Sequence, residues 1–188
     1  MQERIVLETS RLHLRAWHDA DLDPLASMCA DPQVMRYLPG LLSRDECAAM
    51  IARCRLHFVR HGFGFWALER KDDGRFIGIV GLQWCKRALP FCPAVEIAWR
   101  LVQDQWGQGL AHEAAKAALA CAFGQLQLPE VVTFTAQLNE ASQHLAESLG
   151  MQHDPQDDFE HPDLPEGHPL RPHRLYRLRR TDWGEFRR

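Results

Sequence analysis

Apolar and polar side chains recur along this chain with two different periods, and a change of period marks a new element. Leu12 and Leu14 alternate with polar neighbours between Ile5 and Arg15, which predicts a strand. From Ser43 to His61 the apolar positions recur every three or four residues, which predicts a helix with a capping-box pattern at its start and Gly62 at its end. The apolar face of this helix consists of Cys47, Met50, Ile51, Cys54 and Phe58.

The same patterns predict the remaining elements. A helix capped by Asp19 or Asp21 ends near Pro32, and a hairpin signal at Lys71–Gly74 joins two strands. The predicted strands are Phe63–Glu69, Phe76–Trp84, Val95–Leu101, Val131–Leu138 and Leu175–Leu178. An alanine-rich helix follows Gly109, a short helix runs from Asn139 to Leu149, and a polar loop runs from Asp154 to Pro172. A Pro-containing loop is predicted from Lys86 to Pro93.

Length and charge restrict the function classes. A chain of 188 residues is expected to form a single domain, residues 1–188. The net charge of -3 argues against a nucleic-acid partner. We expect no membrane partner, because no apolar run is long enough to span a bilayer. The N-terminal residues lack the apolar core of a signal peptide, so we expect a cytoplasmic protein, either a monomer or a homodimer.

The cysteines fit that compartment. The six are scattered without a C-x-x-C pair, which predicts free thiols, mostly buried as small apolar groups. A zinc site built from Cys85, Cys92 and a nearby histidine is the alternative, but structural zinc usually requires paired spacing. We therefore predict no metal.

Two glycines mark the most informative segment. The strand ending at Leu101 leads through Gly107 and Gly109 directly into a helix, and this arrangement exposes backbone N–H groups to an anion. The dinucleotide fingerprint requires a third glycine where His112 stands, and the Walker lysine is absent. A plain tight strand-to-helix connection is the alternative interpretation.

The segment from Glu96 to Ala114 resembles motif A of the GNAT acetyltransferases, with Gly109 and Ala111 at two of its positions. Trp106 replaces the usual Arg or Gln, as in the branch that resembles the ribosomal-protein-alanine acetyltransferases. Two further segments resemble that branch in order and spacing. One is the opening Leu7–Arg15, and the other runs from Asn139 through Ser142 to Leu149-Gly150-Met151.

The resemblance implies an α/β (α+β) GNAT fold, with a central mixed, mostly antiparallel twisted sheet and flanking helices. It implies an enzyme that transfers an acetyl group directly from acetyl-CoA, its co-substrate, to a primary amine. The strand before the turn would separate from its neighbour and pair with the pantetheine arm. The residues implied to bind the cofactor are Trp99, Arg100, Leu101, Trp106, Gly107, Gln108, Gly109, Leu110, Ala111, His112, Asn139 and Ser142.

The chemistry requires a base for the amine and an acid for the departing thiolate. Glu96 is the first candidate base and Glu69 the second, although each would also suit a solvated strand. Many family members have a Tyr acid where Ala146 stands here. Ser142 is either the substitute acid or a cap of its helix. The missing Tyr leaves a second hypothesis open, a catalytically weak acyl-CoA sensor of the same fold.

The C-terminal segment resembles the ending of a GNAT subgroup, and His161, His168 and His173 would then contact the acceptor. A metal site or hydrogen bonds to the backbone are the alternatives. Several arginines make this end basic, either as a solvated face or as an attraction for acidic groups; they are Arg171, Arg174, Arg177, Arg179 and Arg180. The acceptor amine belongs to a small molecule or a protein N-terminus, and the sequence does not distinguish them.

Overall fold

The structure, a computed structural model, describes residues 6–85 and 89–186. The chain divides into two compact units. The first unit consists of Met1–Gln83 and Ala98–Ala118, and the second consists of Trp84–Ile97 and Leu119–Arg188. The chain passes from one unit to the other within two strands and one helix, so each unit is described by itself.

The first unit is built on an antiparallel meander of four strands, continued by part of a fifth. The strands are β1 (Leu7–Glu8), β2 (Leu12–Arg15), β3 (Phe65–Arg70), β4 (Phe76–Cys85) and β5 (Ala94–Leu101). Two helices, α1 (Leu22–Cys29) and α2 (Arg44–His61), lie between β2 and β3 in the chain. Their apolar faces pack with Trp17, Phe76 and Ile79 in one buried cluster, which is the core of this unit.

Local signals define both ends of α2. The Ser43 side chain accepts from the Glu46 N–H, and the Glu46 carboxylate accepts from the Ser43 N–H, which is a complete capping box. At the other end Gly62 has φ 78°, a left-handed conformation that glycine adopts without strain. The sequence predicted both boundaries correctly.

The second unit contains the C-terminal part of α3 (Leu110–Gly124), followed by β6 (Glu130–Ala136) and α4 (Glu140–Ser148). The rest of the chain forms β7 (Gln152–His153), β8 (Phe159–Glu160), β9 (Pro172–Arg179) and α5 (Arg180–Phe186). Strand β9 pairs antiparallel with β6 along its whole length, and β7 and β8 also pair with β9. Strand β5 pairs with β6 in parallel at Glu96 and Val132. The sheet is therefore mixed and mostly antiparallel, as predicted.

The N-terminal region differs from the single strand predicted between Ile5 and Arg15. The described part forms two short strands, because the Thr9 hydroxyl accepts from the Leu12 N–H and closes a tight turn. Leu7 then faces Leu14 across the pair. Ile5, the predicted start, lies outside the described residues, as do residues 86–88 of the predicted loop before β5.

The C-terminal region also contains more structure than predicted. The polar loop from Asp154 to Pro172 includes β8, which pairs with the start of β9. Helix α5 was not predicted, and the buried Trp183 anchors it against Phe123 with ring centroids 5.7 Å apart. Both elements depend on partners distant in sequence, so local patterns do not reveal them.

All six cysteines are free, and five of them are buried. In the described part of the chain, no helix is both long and apolar enough to cross a bilayer. Among the same residues, no three His, Cys, Asp or Glu side chains are grouped as metal ligands.

Candidate active site

The glycine turn, residues 106–109, lies in the first unit between the end of β5 and the start of α3. A short 3₁₀ turn at Gln103–Gln105 follows the strand. Gly107 and Gly109 have φ of 71° and 75°, values that residues with a Cβ rarely adopt. A Cβ at Gly107 would meet no atom within 4 Å. The glycines are therefore required by the backbone conformation rather than by crowding.

Backbone donors accumulate at this turn. Within the described residues, the N–H groups of 107–111 donate no hydrogen bond to another protein group, and the first helical bond of the segment joins the Glu113 N–H to the Gly109 carbonyl. Residues 106–109 are exposed. A helix N-terminus also carries partial positive charge. The turn therefore presents a row of unused donors to solvent, which is the arrangement that binds phosphate groups.

A salt bridge between Arg11 and Glu113 lies beside the turn, and Arg11 also bonds to the backbone of the turn. The Arg11 Nε donates to Glu113 Oε2 at 2.6 Å, and Arg11 Nη1 donates to the Gln108 carbonyl at 2.9 Å. The Ser10 hydroxyl and the Arg11 N–H both donate to Glu113 Oε1. Sequence reasoning missed this contact, since 97 residues separate Arg11 from Gln108. The available signal was an acidic residue in the first turn of a helix.

The environment of Glu113 strongly favours its charged form. Partial burial raises its pKa, but hydrogen bonds from Thr9, Arg11 and Ser10 outweigh that effect and lower the pKa to about 2. Glu113 is therefore ionised at neutral pH and stays paired with Arg11.

Trp106, which stands where the family usually has Arg or Gln, bonds to the backbone of β5. Its indole N–H donates to the Leu101 carbonyl at 2.9 Å, so the side chain folds back over the end of β5. The Leu101 carbonyl therefore already accepts one hydrogen bond, and the pairing of this backbone with the pantetheine arm stays a prediction. The Arg100 guanidinium donates to the Cys29 sulfur at 3.3 Å. Trp99, which precedes the turn in the chain, and His112, which follows it, are both half-buried.

Glu69 also lies in the first unit, within an ion-pair network. Arg15 binds both Glu69 and Asp21, and the Asp21 side chain is 4% exposed. Burial raises the pKa of Asp21, but the hydrogen bonds from Arg15 and the His18 backbone outweigh this and lower it. Arg15 donates to one oxygen of the Glu69 carboxylate, so Glu69 is part of this network, and its role as a base stays a prediction.

The second unit contains the other predicted residues. Glu96 is half-buried on β5, beside Val132 of β6. The Asn139 side chain accepts from the Ser142 N–H at 3.2 Å and is the N-cap of α4. Ser142 is the third residue of α4, and the N-cap position of this helix belongs to Asn139. Ala146 is fully buried, and the nearby Tyr176 hydroxyl contacts Glu147 at 3.3 Å.

The C-terminal histidines contact the backbone and each other. His161 and His173 are buried, with ring centroids 4.9 Å apart, and both pack against Phe134 and Phe159. Burial lowers the pKa of His173, which favours the neutral ring. The His161 and His168 Nδ1 atoms accept from backbone N–H groups two residues onward. These contacts support the backbone-bonding alternative.

The C-terminal arginines are largely paired. Arg177 binds Asp157 and Glu130, Arg171 binds Glu160, and Arg174 donates to the Gln143 side chain. The carboxylates offset the positive charge of Arg171 and Arg177, whereas Gln143 is a neutral partner of Arg174. Arg174 and Arg177 therefore connect β9 to neighbouring elements.

The first unit also contains an open cavity of about 620 Å³. Its wall includes Met28 of α1, Phe76 of β4 and Val102, and the Arg75–Asp104 ion pair at 2.6 Å lies on its rim. None of the predicted site residues lines this cavity, although Val102 directly follows the end of β5.

Comparisons with known proteins identify the family of this chain. The family model of the acetyltransferase (GNAT) domain matches residues 11–152. The N-acetyltransferase YoaA of Bacillus subtilis, itself uncharacterised, is 29% identical over 154 residues, which are 78% of this chain and 82% of YoaA.

Solved structures show the same architecture. An acetyltransferase of Agrobacterium tumefaciens is 26% identical with a TM-score of 0.75, over 93% of this chain and 94% of that one. RimL, a ribosomal protein acetyltransferase in complex with coenzyme A, is 15% identical with a TM-score of 0.75, over 93% of this chain and 98% of RimL. At this identity the likeness to RimL shows the fold alone.

Proposed function

This chain belongs to the GNAT acetyltransferase family and transfers an acetyl group from acetyl-CoA to an amine, and we propose that the N–H groups of residues 107–111 bind the cofactor's diphosphate. The row of unused donors at the start of α3 is the observation that carries this proposal. A diphosphate is multiply charged, and it would satisfy several of these N–H groups at once. A sensor without turnover is not favoured, because the family model and its relatives are acetyltransferases.

The remaining cofactor residues follow from the same resemblance. We propose that the backbone of Trp99 and Arg100 pairs with the pantetheine arm as an added strand would. Asn139 would contact the arm through the side-chain amide nitrogen, since its oxygen caps α4. Trp106 would hold the end of β5 through its bond to Leu101.

Direct transfer requires an amine that has lost its proton, because only the neutral nitrogen has a free lone pair. The nitrogen forms a bond to the acetyl carbon while the carbon–sulfur bond breaks, and the thiolate then takes up a proton. We propose Glu96 as the base that accepts the amine proton, directly or through water. Glu69 is second to Glu96, because Arg15 already occupies its carboxylate. Ser142 is the proposed donor to the thiolate, since Ala146 carries no acidic group.

The acceptor is a primary amine on a small molecule or a protein N-terminus. The histidines that would have contacted it, His161 and His173, are buried. Half-buried Phe91, Phe134 and Phe159 lie beside them. Nothing in the charge of the described C-terminal arginines favours an acidic acceptor, because most of them are paired.

A thiol-release assay with a panel of amines tests the function. We expect the wild-type protein to release CoA from acetyl-CoA with at least one amine. Glu96→Gln should lower kcat/KM about 100-fold and remove the ionisation of Glu96, though not that of the amine, from the pH profile, because general-base catalysis typically contributes 10²–10⁴-fold. If Glu96→Gln keeps the wild-type rate and pH profile, Glu96 is not the base. If no amine on a broad panel supports release above the hydrolysis rate, the sensor is the better description.

A further inference from the structure

We propose that Arg11 is a cofactor-binding residue, whose Nη2 atom donates to the cofactor's diphosphate beside the glycine turn, and that Glu113 orients it. This inference rests on the proposed binding of the diphosphate at residues 107–111. It adds a side chain from the N-terminal hairpin to a site otherwise formed by backbone.

The contacts of Arg11 leave one end of its guanidinium available. Nε is bound to Glu113 and Nη1 to the Gln108 carbonyl. Within the described residues, Nη2 donates to no protein group. It lies 3.7 Å from the position that a Cβ at Gly109 would take, so it is directly beside the turn. The side chain is 49% exposed, which leaves room for a ligand.

Glu113 determines the direction of that free end. A guanidinium is planar, so fixing Nε and Nη1 fixes the plane and the direction of Nη2. Both Glu113 oxygens already accept hydrogen bonds from Ser10 and Arg11. The carboxylate therefore holds the arginine in this orientation.

The position of Nη2 favours the diphosphate over the 3′-phosphate of CoA. Nη2 is adjacent to the same N–H groups that would hold the diphosphate, and a charged donor next to backbone donors binds one anion jointly. An arginine with two occupied nitrogens loses little further entropy when the third binds. Arg11 thus adds a charge-assisted hydrogen bond to a preformed cradle.

Calorimetric titration of the purified protein with CoA and with dephospho-CoA, which lacks only the 3′-phosphate, tests this inference without an acceptor. Arg11→Gln should weaken both ligands about tenfold, the scale of one charge-assisted hydrogen bond at a partly exposed site. Arg11→Lys keeps the charge but not the fork, and it should weaken both about threefold. Arg44→Gln removes an exposed arginine paired with Asp23 and should change neither Kd.

The outcomes separate the two proposals. Equal weakening of both ligands by Arg11→Gln supports the inference, and if that variant does not fold, the same comparison with Arg11→Lys decides. Unchanged Kd values, or weakening of CoA alone, overturn the role of Arg11 and leave the proposed binding of the diphosphate by residues 107–111 intact. A wild-type protein that binds neither ligand overturns both.

Discussion

Glu113 and Arg11 show how one ion pair fastens an N-terminal hairpin to a helix start. The carboxylate accepts from the Ser10 hydroxyl, the Arg11 N–H and the Arg11 guanidinium. Each donor favours the ionised form of Glu113, so the pKa of Glu113 falls to about 2, although partial burial opposes this shift. The pair is thus a contribution to stability that depends on pH.

The pKa of Glu113 predicts an acid-sensitive part of the folding free energy. A carboxyl whose pKa is depressed on folding stabilises the native state above its ordinary pKa of 4.5, and that contribution is lost as the pH falls toward about 2. After allowance for solvent screening we expect about 1–2 kcal/mol at pH 7. Urea unfolding of Glu113→Gln should show that loss at pH 7 and a smaller one at pH 3. Glu166→Gln, in an exposed loop, is the control, and an equal loss at both pH values would contradict the assignment.

At the scale of single residues, the sequence predicted where α4 begins but not which side chain caps it. The sequence offered Ser142 as the alternative cap of α4, but the N-cap is Asn139, a residue type that caps helices equally well. The Trp106 bond to Leu101 was not foreseen, since it depends on the path of the 3₁₀ turn between them. The roles of Glu96 and Ser142 in catalysis stay predictions.

At the scale of elements, the strand, turn and helix from β5 to α3 are specified locally. The glycines meet the need for positive φ, and the small residues Ala114, Ala115 and Ala118 are fully buried along the helix. This is why the segment was predictable from sequence. The short strands β7 and β8 were not predictable, because each has two residues and depends on pairing with β9.

The turn itself gives a prediction with a matched control. Gly109→Val places a β-branched residue at φ 75°, which costs on the order of 1–3 kcal/mol and displaces the donors. Gly74→Val imposes similar strain at φ 67° in the β3–β4 hairpin, where a Cβ meets nothing within 4 Å. We expect similar drops in Tm for the two variants, but a CoA affinity at least tenfold lower for Gly109→Val alone. Equal CoA affinities would remove the turn from the cofactor site.

At the scale of the whole molecule, the mixed and mostly antiparallel sheet, the family and the use of acetyl-CoA were predicted correctly from three short segments in order. The described chain forms two compact units, and the single domain that we predicted stays a prediction, as do the cytoplasmic location and the oligomeric state. The acceptor was not predictable, because fold and cofactor site do not specify the amine.

The central claim is that CoA binds through the backbone of residues 107–111. Titration of ¹⁵N-labelled protein with CoA, followed by amide NMR, tests it most directly, because a phosphate that accepts from an N–H shifts that resonance. We predict that the amide resonances of Gly107, Gln108, Gly109, Leu110 and Ala111 shift strongly and saturate together. Saturable binding of CoA that leaves all five resonances in place would contradict the account.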